Sequence, residues 1–477
     1  MSRPLPPDFP LRSHLLPRLF EESRRAGWIA PERVAAIAYD LRIPAAEAWE
    51  VAAAYAGFYT SSKLTPEPAC GWLACRMAGS PGDGHCQFRC YAPPASGPED
   101  LFPAGMVRQA GPLLAAVPSG AHALQSARLM GRDRALEQVA GSGLRGRGGA
   151  YFPTGSKWRS ALAEGRPLAL VVNAEEGEPG VFKDRALMSL VPGRVAEGIA
   201  IAAFVLQPNV LVIFANGHAD PALASLESAL AGFDTGAPIA VYRGGGGYVL
   251  GEEGALLNAI EGRRPVPRTR PPYPVQAGLF GMPTVVNNIE TMANLPLLFD
   301  DPAAFARTGI ETAPGTRILS LSGRIERPGV YEVPIGTLLR DVVERAGPVV
   351  QGEPAVLMGG PSGGFLAASA FDTPLAPGPM HPTGAMLGAG GITVLDAPGD
   401  IRETTMAAAA FNASESCGKC TPCREGTPRL RDALAAGDRA MVEELGEILE
   451  FASLCGLGQM APGPARSALH FWPEVFA

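Results

Sequence analysis

Three cysteines stand together in Cys417-Gly-Lys-Cys420-Thr-Pro-Cys423, and a fourth follows far downstream at Cys455. A Cys-x2-Cys-x2-Cys run puts three thiolates on one tight loop. A distant fourth closes a four-sulfur cage, an arrangement suited to a [4Fe–4S] cluster. Four thiolates also make a structural zinc site, but zinc more often uses two separated pairs. The spacing favours iron and keeps zinc as the alternative. The remaining four of the eight cysteines, Cys70, Cys75, Cys86 and Cys90, form a second set. Two pairs on a short segment also suit a metal or an iron–sulfur centre, because so short a segment has no core of its own to order it.

Four further clusters have types suited to ligand binding. Gly141 to Gly149 is glycine-rich and runs into Tyr151-Phe152-Pro-Thr-Gly-Ser-Lys157. Glycines let backbone N–H groups approach a ligand, and Arg145, Arg147 and Lys157 bring positive charge for a phosphate. The spacing matches neither a P-loop nor the usual dinucleotide fingerprint. Asn173-Ala-Glu175-Glu176-Gly-Glu178 follows an apolar run, and three carboxylates crowded at the end of a strand are costly unless solvated or used. Gly244 to Tyr248 leads to Glu252-Glu253. Asn287-Asn288-Ile-Glu290-Thr291 offers amides and a hydroxyl, or a helix cap.

The elements that must position these clusters are legible in outline. Apolar runs at 167–172, 209–215 and 238–242 read as buried strands, and 191–206 and 219–233 read as helices. Such alternation predicts a mostly parallel α/β sheet. Three short helices are expected over 14–59, with Pro31 and Pro44 near helix starts. A small α+β unit begins at Thr316, with a strand over 317–321, a Pro328-Gly329 turn, a second strand and a helix over 338–346. From about Asp400 the chain is helical. The expected boundaries are 1–60 (helical segment), 61–98 (four-cysteine segment), 125–312 (α/β domain), 313–395 (second α+β domain) and 396–477 (helical domain).

The 477 residues are enough for about three domains of roughly 150 residues. A net charge of −7 excludes a basic nucleic-acid footprint. Residues 1–7 lack the apolar core of a secretion signal, and the apolar stretch 198–215 is cut by Gln207-Pro208-Asn209, so no membrane insertion is expected. A reducing cytoplasm then favours metal ligation over disulfides.

Taken in order, Gly-Leu-Arg-Gly-Arg-Gly-Gly (143–149), Glu-Gly-Glu-Pro-Gly (176–180), Phe-Lys-Asp-Arg (182–185), Gly-Glu-Glu (251–253), Thr-Val-Val-Asn-Asn (284–288) and Cys-Gly-x-Cys-x-Pro-Cys-Arg (417–424) resemble one family. It is the NADH-binding flavoprotein subunit of respiratory complex I, with the diaphorase subunits of soluble NAD-linked hydrogenases and formate dehydrogenases as close relatives. The resemblance covers about 125–475. It implies FMN and NAD(H) in a Rossmann-like α/β domain, a β-grasp-like domain after it, and a [4Fe–4S] cluster on Cys417, Cys420, Cys423 and Cys455 in a helical bundle. Carried over by position, Gly146, Arg147, Gly148, Gly149 and Phe152 line the dinucleotide side, with Glu178 beside the nicotinamide. Lys157, Asn173, Glu175, Glu176, Tyr248, Glu252, Glu253, Asn287, Asn288 and Thr291 face FMN.

Residues 1–98 are similar to a second family, the thioredoxin-like [2Fe–2S] subunit that partners this flavoprotein. Only ten residues separate Cys75 from Cys86, too few for a βαβ crossover, so that fold must be abbreviated or lost. The family usually has Gly where Tyr151 stands, Asp for Glu175, Cys for Leu250 and Thr for Gly254. A phenol at 151 either intrudes on the dinucleotide slot or turns away from it. The resemblance implies a diaphorase-type electron-transfer subunit of a cytoplasmic dehydrogenase complex, partnered by a formate dehydrogenase- or hydrogenase-type catalytic subunit and other iron–sulfur subunits. A complex I subunit is the second reading. A non-catalytic relay or scaffold that has lost dinucleotide binding is the third.

Overall fold

The computed structural model describes residues 9–55, 57–58, 69–80, 82, 86–95, 100–115 and 121–476. Parts of the expected N-terminal segments, notably 1–8 and 59–68, lie outside the described residues.

Four parallel strands form the first sheet, in the order Ile239–Gly244, Val210–Asn216, Ala169–Ala174, Thr284–Asn288. Val210–Asn216 is buried at every residue, as an unbroken Val-Leu-Val-Ile-Phe-Ala run requires when both sheet faces are covered. Helix Pro192–Leu206 starts with proline at its first position and ends at Gln207 in the left-handed region (φ 48°). The fourth strand, Thr284–Asn288, reads in sequence as a ligand loop or a helix cap. It is a strand whose last residue is also that cap, because the Asn288 side chain accepts from the Glu290 N–H at 2.9 Å and starts helix Ile289–Asp300.

Three N-terminal helices, Leu15–Ala26, Pro31–Asp40 and Ala45–Ala52, cover the outer face of this sheet. Leu15, Leu16, Leu19, Val34, Ile37, Ala38 and Leu41 are buried there with Phe214 and Tyr242. The Tyr242 hydroxyl donates to the Ser13 carbonyl at 3.2 Å.

The second sheet is mixed and has six strands, in the order Val107–Gln109, Gly329–Pro334, Thr316–Gly323, Gly391–Ala397, Glu353–Met358, Gly364–Ala367. Helix Leu339–Ala346 buries Leu339, Val342 and Val343 in its core and ends at Gly347 (φ 69°). The edge strand Val107–Gln109 comes from the chain before the first sheet. Helices Ile401–Ser414, Thr421–Ala436, Arg439–Ala452, Gly456–Met460 and Gly463–Phe471 complete the chain. Among the described residues no single helix is long and apolar enough to cross a membrane.

Candidate functional site

In the first sheet the chain moves outward from Ala169–Ala174 on one side and returns to its other side at Thr284–Asn288, with Asn173 opposite Asn288. Ligands of doubly wound sheets sit beyond the carboxyl ends of strands at such a switch point. A cavity of about 300 Å3 opens there. Gly148, Gly149, Asn173, Glu175, Glu176, Glu178, Tyr248, Glu252 and Asn288 line it, nine of the residues expected from sequence.

Its floor is acidic and buried. Burial pushes Glu175 up to about 8 and Glu176 and Glu178 each up to about 7. Glu176 accepts from the N–H groups of Asp184 (2.7 Å) and Arg185 (3.3 Å), capping helix Lys183–Leu190. Glu175 accepts from Asn216 Nδ2 at 2.9 Å, but its other oxygen is buried without a protein partner. Glu178 Oε1 is likewise unpartnered, and Glu178 leans on Gly360 of the second sheet so closely that a Cβ there would fall 2.6 Å from its Cγ. Glu252 caps helix Glu253–Ile260 through Ala255 N–H (2.8 Å) and pairs with Arg270 at 2.6 Å. Burial drives the Tyr248 hydroxyl pKa upward, and its ring meets Phe411 edge-on at 5.4 Å.

The cation at this site is Lys183, which in sequence stands out only as part of a motif. It lines the cavity at 1% exposure, with Asn288 Oδ1 and Glu290 Oε2 both at 3.1 Å and Asp184 Oδ1 at 2.5 Å. Burial lowers its pKa, but Asp184 and Glu290 outweigh that and the net direction is upward.

The other expected residues stand outside the lining. Arg147 is fully buried, and its guanidinium donates to the Pro314 carbonyl at 2.8 Å, away from the cavity. Its own N–H donates to Thr291 Oγ1 at 2.9 Å, which fixes both. Gly146 N–H donates to the Phe152 carbonyl at 2.9 Å, and the Phe152 ring is 53% exposed. Lys157 is ion-paired with Glu253 and donates to the Val286 carbonyl at 3.0 Å. Asn287 accepts from the Trp158 indole at 2.9 Å. Tyr151 is packed with Leu319, Tyr331 and Val333 in the core of the second sheet.

Cys417, Cys420, Cys423 and Cys455 border one small second cavity. Cys420 precedes helix Thr421–Ala436, Cys423 lies in its first turn, and Cys455 stands just before Gly456–Met460. Burial raises the Cys423 and Cys455 thiols to about 11 each. Among the described residues no set of three His, Cys, Asp or Glu side chains is arranged for a single metal ion. In the N-terminal set, the neighbouring Cys70 thiol pushes the Cys75 and Cys86 thiols upward, and Cys75 and Cys86 accept from the N–H groups of Ala95 (3.3 Å) and Phe88 (3.4 Å). Between them the described chain forms only a short helix, Leu73–Met77, and turns, so no thioredoxin-like crossover is present among the described residues.

The Nuo51 FMN-binding domain matches residues 139–297, the SLBB domain 318–366, and the NADH-ubiquinone oxidoreductase-F iron-sulfur binding region 403–477. The F subunit of NADH-quinone oxidoreductase in Mycobacterium tuberculosis is 38% identical over 392 residues, 75% of this chain and 87% of that relative. The chain belongs to this F-subunit family of the NADH-quinone oxidoreductases. The Aquifex aeolicus member is 35% identical over 382 residues, 74% of this chain and 88% of its own. A crystal structure of NAD+-reducing [NiFe]-hydrogenase in the air-oxidized state superposes with a TM-score of 0.84 at 29% identity, covering 97% of this chain and 93% of that chain. As a member of this family the chain is an NAD(H)-linked flavin and iron–sulfur oxidoreductase subunit.

The cavity fits a polar cofactor rich in hydrogen-bonding groups. It offers two unpartnered buried carboxylate oxygens, two amides and one buried ammonium. Four thiols around one cavity fit the iron–sulfur region. Met386, Gly388, Ala389 and Met460 also line the first cavity. They come from the second sheet's loops and the helical domain, and no local pattern marks them.

Proposed function

We propose that this chain is the diaphorase-type electron-transfer subunit of an NAD-linked dehydrogenase complex, passing electrons between NAD(H), FMN and iron–sulfur clusters. The observation that carries this reading is a shared wall: Val249, Cys455 and Leu457 border both the sheet-end cavity and the four-cysteine cavity. A flavin and a cluster seated in these two spaces would be separated by one layer of side chains. When bound, FMN supplies the exchange between a two-electron hydride step and single electrons.

In this reading Asn173, Asn288, Lys183 and the Gly244–Tyr248 turn orient FMN, and Glu252 sets the charge near it. Gly148 and Gly149 open the dinucleotide side, Phe152 offers its exposed ring outside the cavity, and Glu178 stands beside the nicotinamide. NAD(H), rather than NADP(H), is the expected dinucleotide. Cys417, Cys420, Cys423 and Cys455 hold the [4Fe–4S] cluster. Cys70, Cys75, Cys86 and Cys90 hold a second centre of the [2Fe–2S] type, with zinc as the rival that the test must exclude. Trp72 and Tyr91 support its relay role. Trp72 Nε1 comes within 3.9 Å of where a Cβ on Gly180 would lie, and Tyr91 meets Phe182 at 5.2 Å, both on the loop that follows Glu178.

A cytoplasmic hydrogenase- or formate dehydrogenase-type assembly is our preferred reading over complex I. The match to the hydrogenase chain over 97% of this chain supports the hydrogenase type, and the formate dehydrogenase type rests on the motif resemblance alone. Anaerobic purification of the full chain tests the reading. Noncovalent FMN, iron at both cysteine sets, NADH-dependent bleaching of the flavin and co-purifying catalytic and iron–sulfur subunits are expected. A colourless protein holding only zinc would refute it.

A further inference from the structure

The second sheet is more than an attachment to the flavin domain. Tyr151 belongs by chain to the glycine loop that lines the cavity, two residues after Gly149, yet its side chain is buried in the other domain's core. Its backbone sits in the left-handed region (φ 54°), unfavourable for a side chain of this size. Something must hold it there, and the contacts are specific. Its hydroxyl donates to the Gly388 carbonyl at 3.3 Å and accepts from Arg317 Nη1. The Arg317 guanidinium lies 4.9 Å from the ring centroid and donates from Nη2 to the same Gly388 carbonyl at 2.8 Å. That Nη2 also reaches the Arg147 carbonyl at 3.5 Å. Arg317 is 1% exposed, so these bonds are unscreened by water.

Gly388 is itself a wall of the cavity and abuts Gly149 on that wall. A Cβ built on Gly149 would lie 3.4 Å from the Gly388 carbonyl carbon. The contact between these two glycines is therefore held by a fastening that runs from Tyr151 through Arg317 to Gly388.

We propose that Tyr151 and Arg317 are a positioning pair that fixes the 386–390 loop against the glycine loop and so determines how tightly the dinucleotide is held. The proposal rests on the reading of the cavity as the NAD(H) and FMN site. Neither side chain reaches reacting atoms. Their effect is on the position and rigidity of the wall that the two loops form together, which makes the dinucleotide's KM, rather than the chemical step or flavin content, the sensitive quantity.

The test compares the full flavin-loaded chain with Tyr151→Phe, which keeps the ring and removes the hydroxyl, and with Tyr151→Gly, which removes both. Loss of one buried hydrogen-bonded link predicts a roughly five- to tenfold rise in KM for NADH in Tyr151→Phe. Its kcat should stay within about twofold, its FMN content should be unchanged, and amide exchange over 386–390 should accelerate. Tyr151→Gly should show the larger KM. Unchanged KM and unchanged exchange in both variants, with a parent that oxidises NADH normally, overturns the positioning pair and leaves the functional reading intact. A folded, flavin-loaded parent that NADH does not reduce overturns the functional reading and this inference with it. If neither variant folds, the parent decides. NAD+ should protect 386–390 together with 148–151, and protection of 148–151 alone overturns the proposal.

Discussion

The two cysteine sets are framed in opposite ways. Cys417, Cys420, Cys423 and Cys455 are spread over two helix starts within a helical domain whose long helices bury Leu430, Leu434, Val442 and Leu449 in the molecule's main core. Cys70, Cys75, Cys86 and Cys90 sit on a five-residue helix and turns with no separate core. Their neighbours Trp72, Leu73 and Tyr91 reach that same core from this short segment, against Phe182 and Phe411. A distributed set can be ordered before any metal arrives. A set on a short segment must borrow order from a neighbour and from its metal. The difference teaches that the N-terminal set is tied to the flavin loop itself, since the side chains that order it rest on Gly180 and Phe182.

The largest effect is expected where the comparison is sharpest. Cys455 borders both cavities, so Cys455→Ser should strip the C-terminal cluster and stop transfer beyond the flavin. The loss should exceed the roughly 10–100-fold that outer partners of a metal cost. NADH-dependent bleaching of FMN should survive. Iron analysis and stopped-flow absorbance check this, and a variant that still passes electrons to its partner subunits would break the assignment.

Cys86→Ser should remove the N-terminal centre while leaving dye reduction by NADH close to the parent's, because none of that set lines the sheet-end cavity. Electron paramagnetic resonance of the reduced variant should lose one signal and keep the other. Trp72→Ala tests the borrowed core without touching a thiol. Losing a buried tryptophan costs about 3–5 kcal/mol locally. Iron should leave the N-terminal set first on mild chelation, with the C-terminal set unaffected. Equal loss from both sets would erase the distinction.

How much of this is legible in the sequence follows the same division. The three-plus-one spacing and the alternating apolar runs are local patterns, and they lead to the cluster cavity and the parallel sheet. Thr284–Asn288 does not announce itself as a strand because three apolar or β-branched residues ending in Asn-Asn look like a cap, and Asn288 is indeed both. Val107–Gln109 is too short to signal a strand, and its partner is more than two hundred residues away. The direction of a side chain is not legible either. Arg147 between glycines reads as a phosphate ligand, but the guanidinium turns to Pro314. In sequence Lys183 stands out only as part of the 182–185 motif, and its place in the cavity, closed round by Asp184 and Glu290, is not legible there. Tyr151 threatens the slot on paper and is a fastening between domains in three dimensions.

The smallest effect concerns the acidic floor just before the loop on which Trp72 and Tyr91 rest. Burial holds Glu175 at about 8 and Glu176 and Glu178 at about 7, against an ordinary 4.5. Below pH 4.5 all three are protonated folded or unfolded. Between 4.5 and 7–8 the folded chain keeps protons that the unfolded chain releases, so their stabilising contribution is lost as pH rises through that window. Each group contributes a slope of up to about 1.4 kcal/mol per pH unit. The flavin-free protein should therefore melt at lower temperature at pH 8.5 than at pH 6, and Glu175→Gln should flatten that fall, since an amide keeps the shape without the titration. Thermal melts across this range check it. A parent whose melting temperature rises from pH 6 to 8.5, or a Glu175→Gln curve parallel to the parent's, would show that burial does not hold these carboxyls protonated.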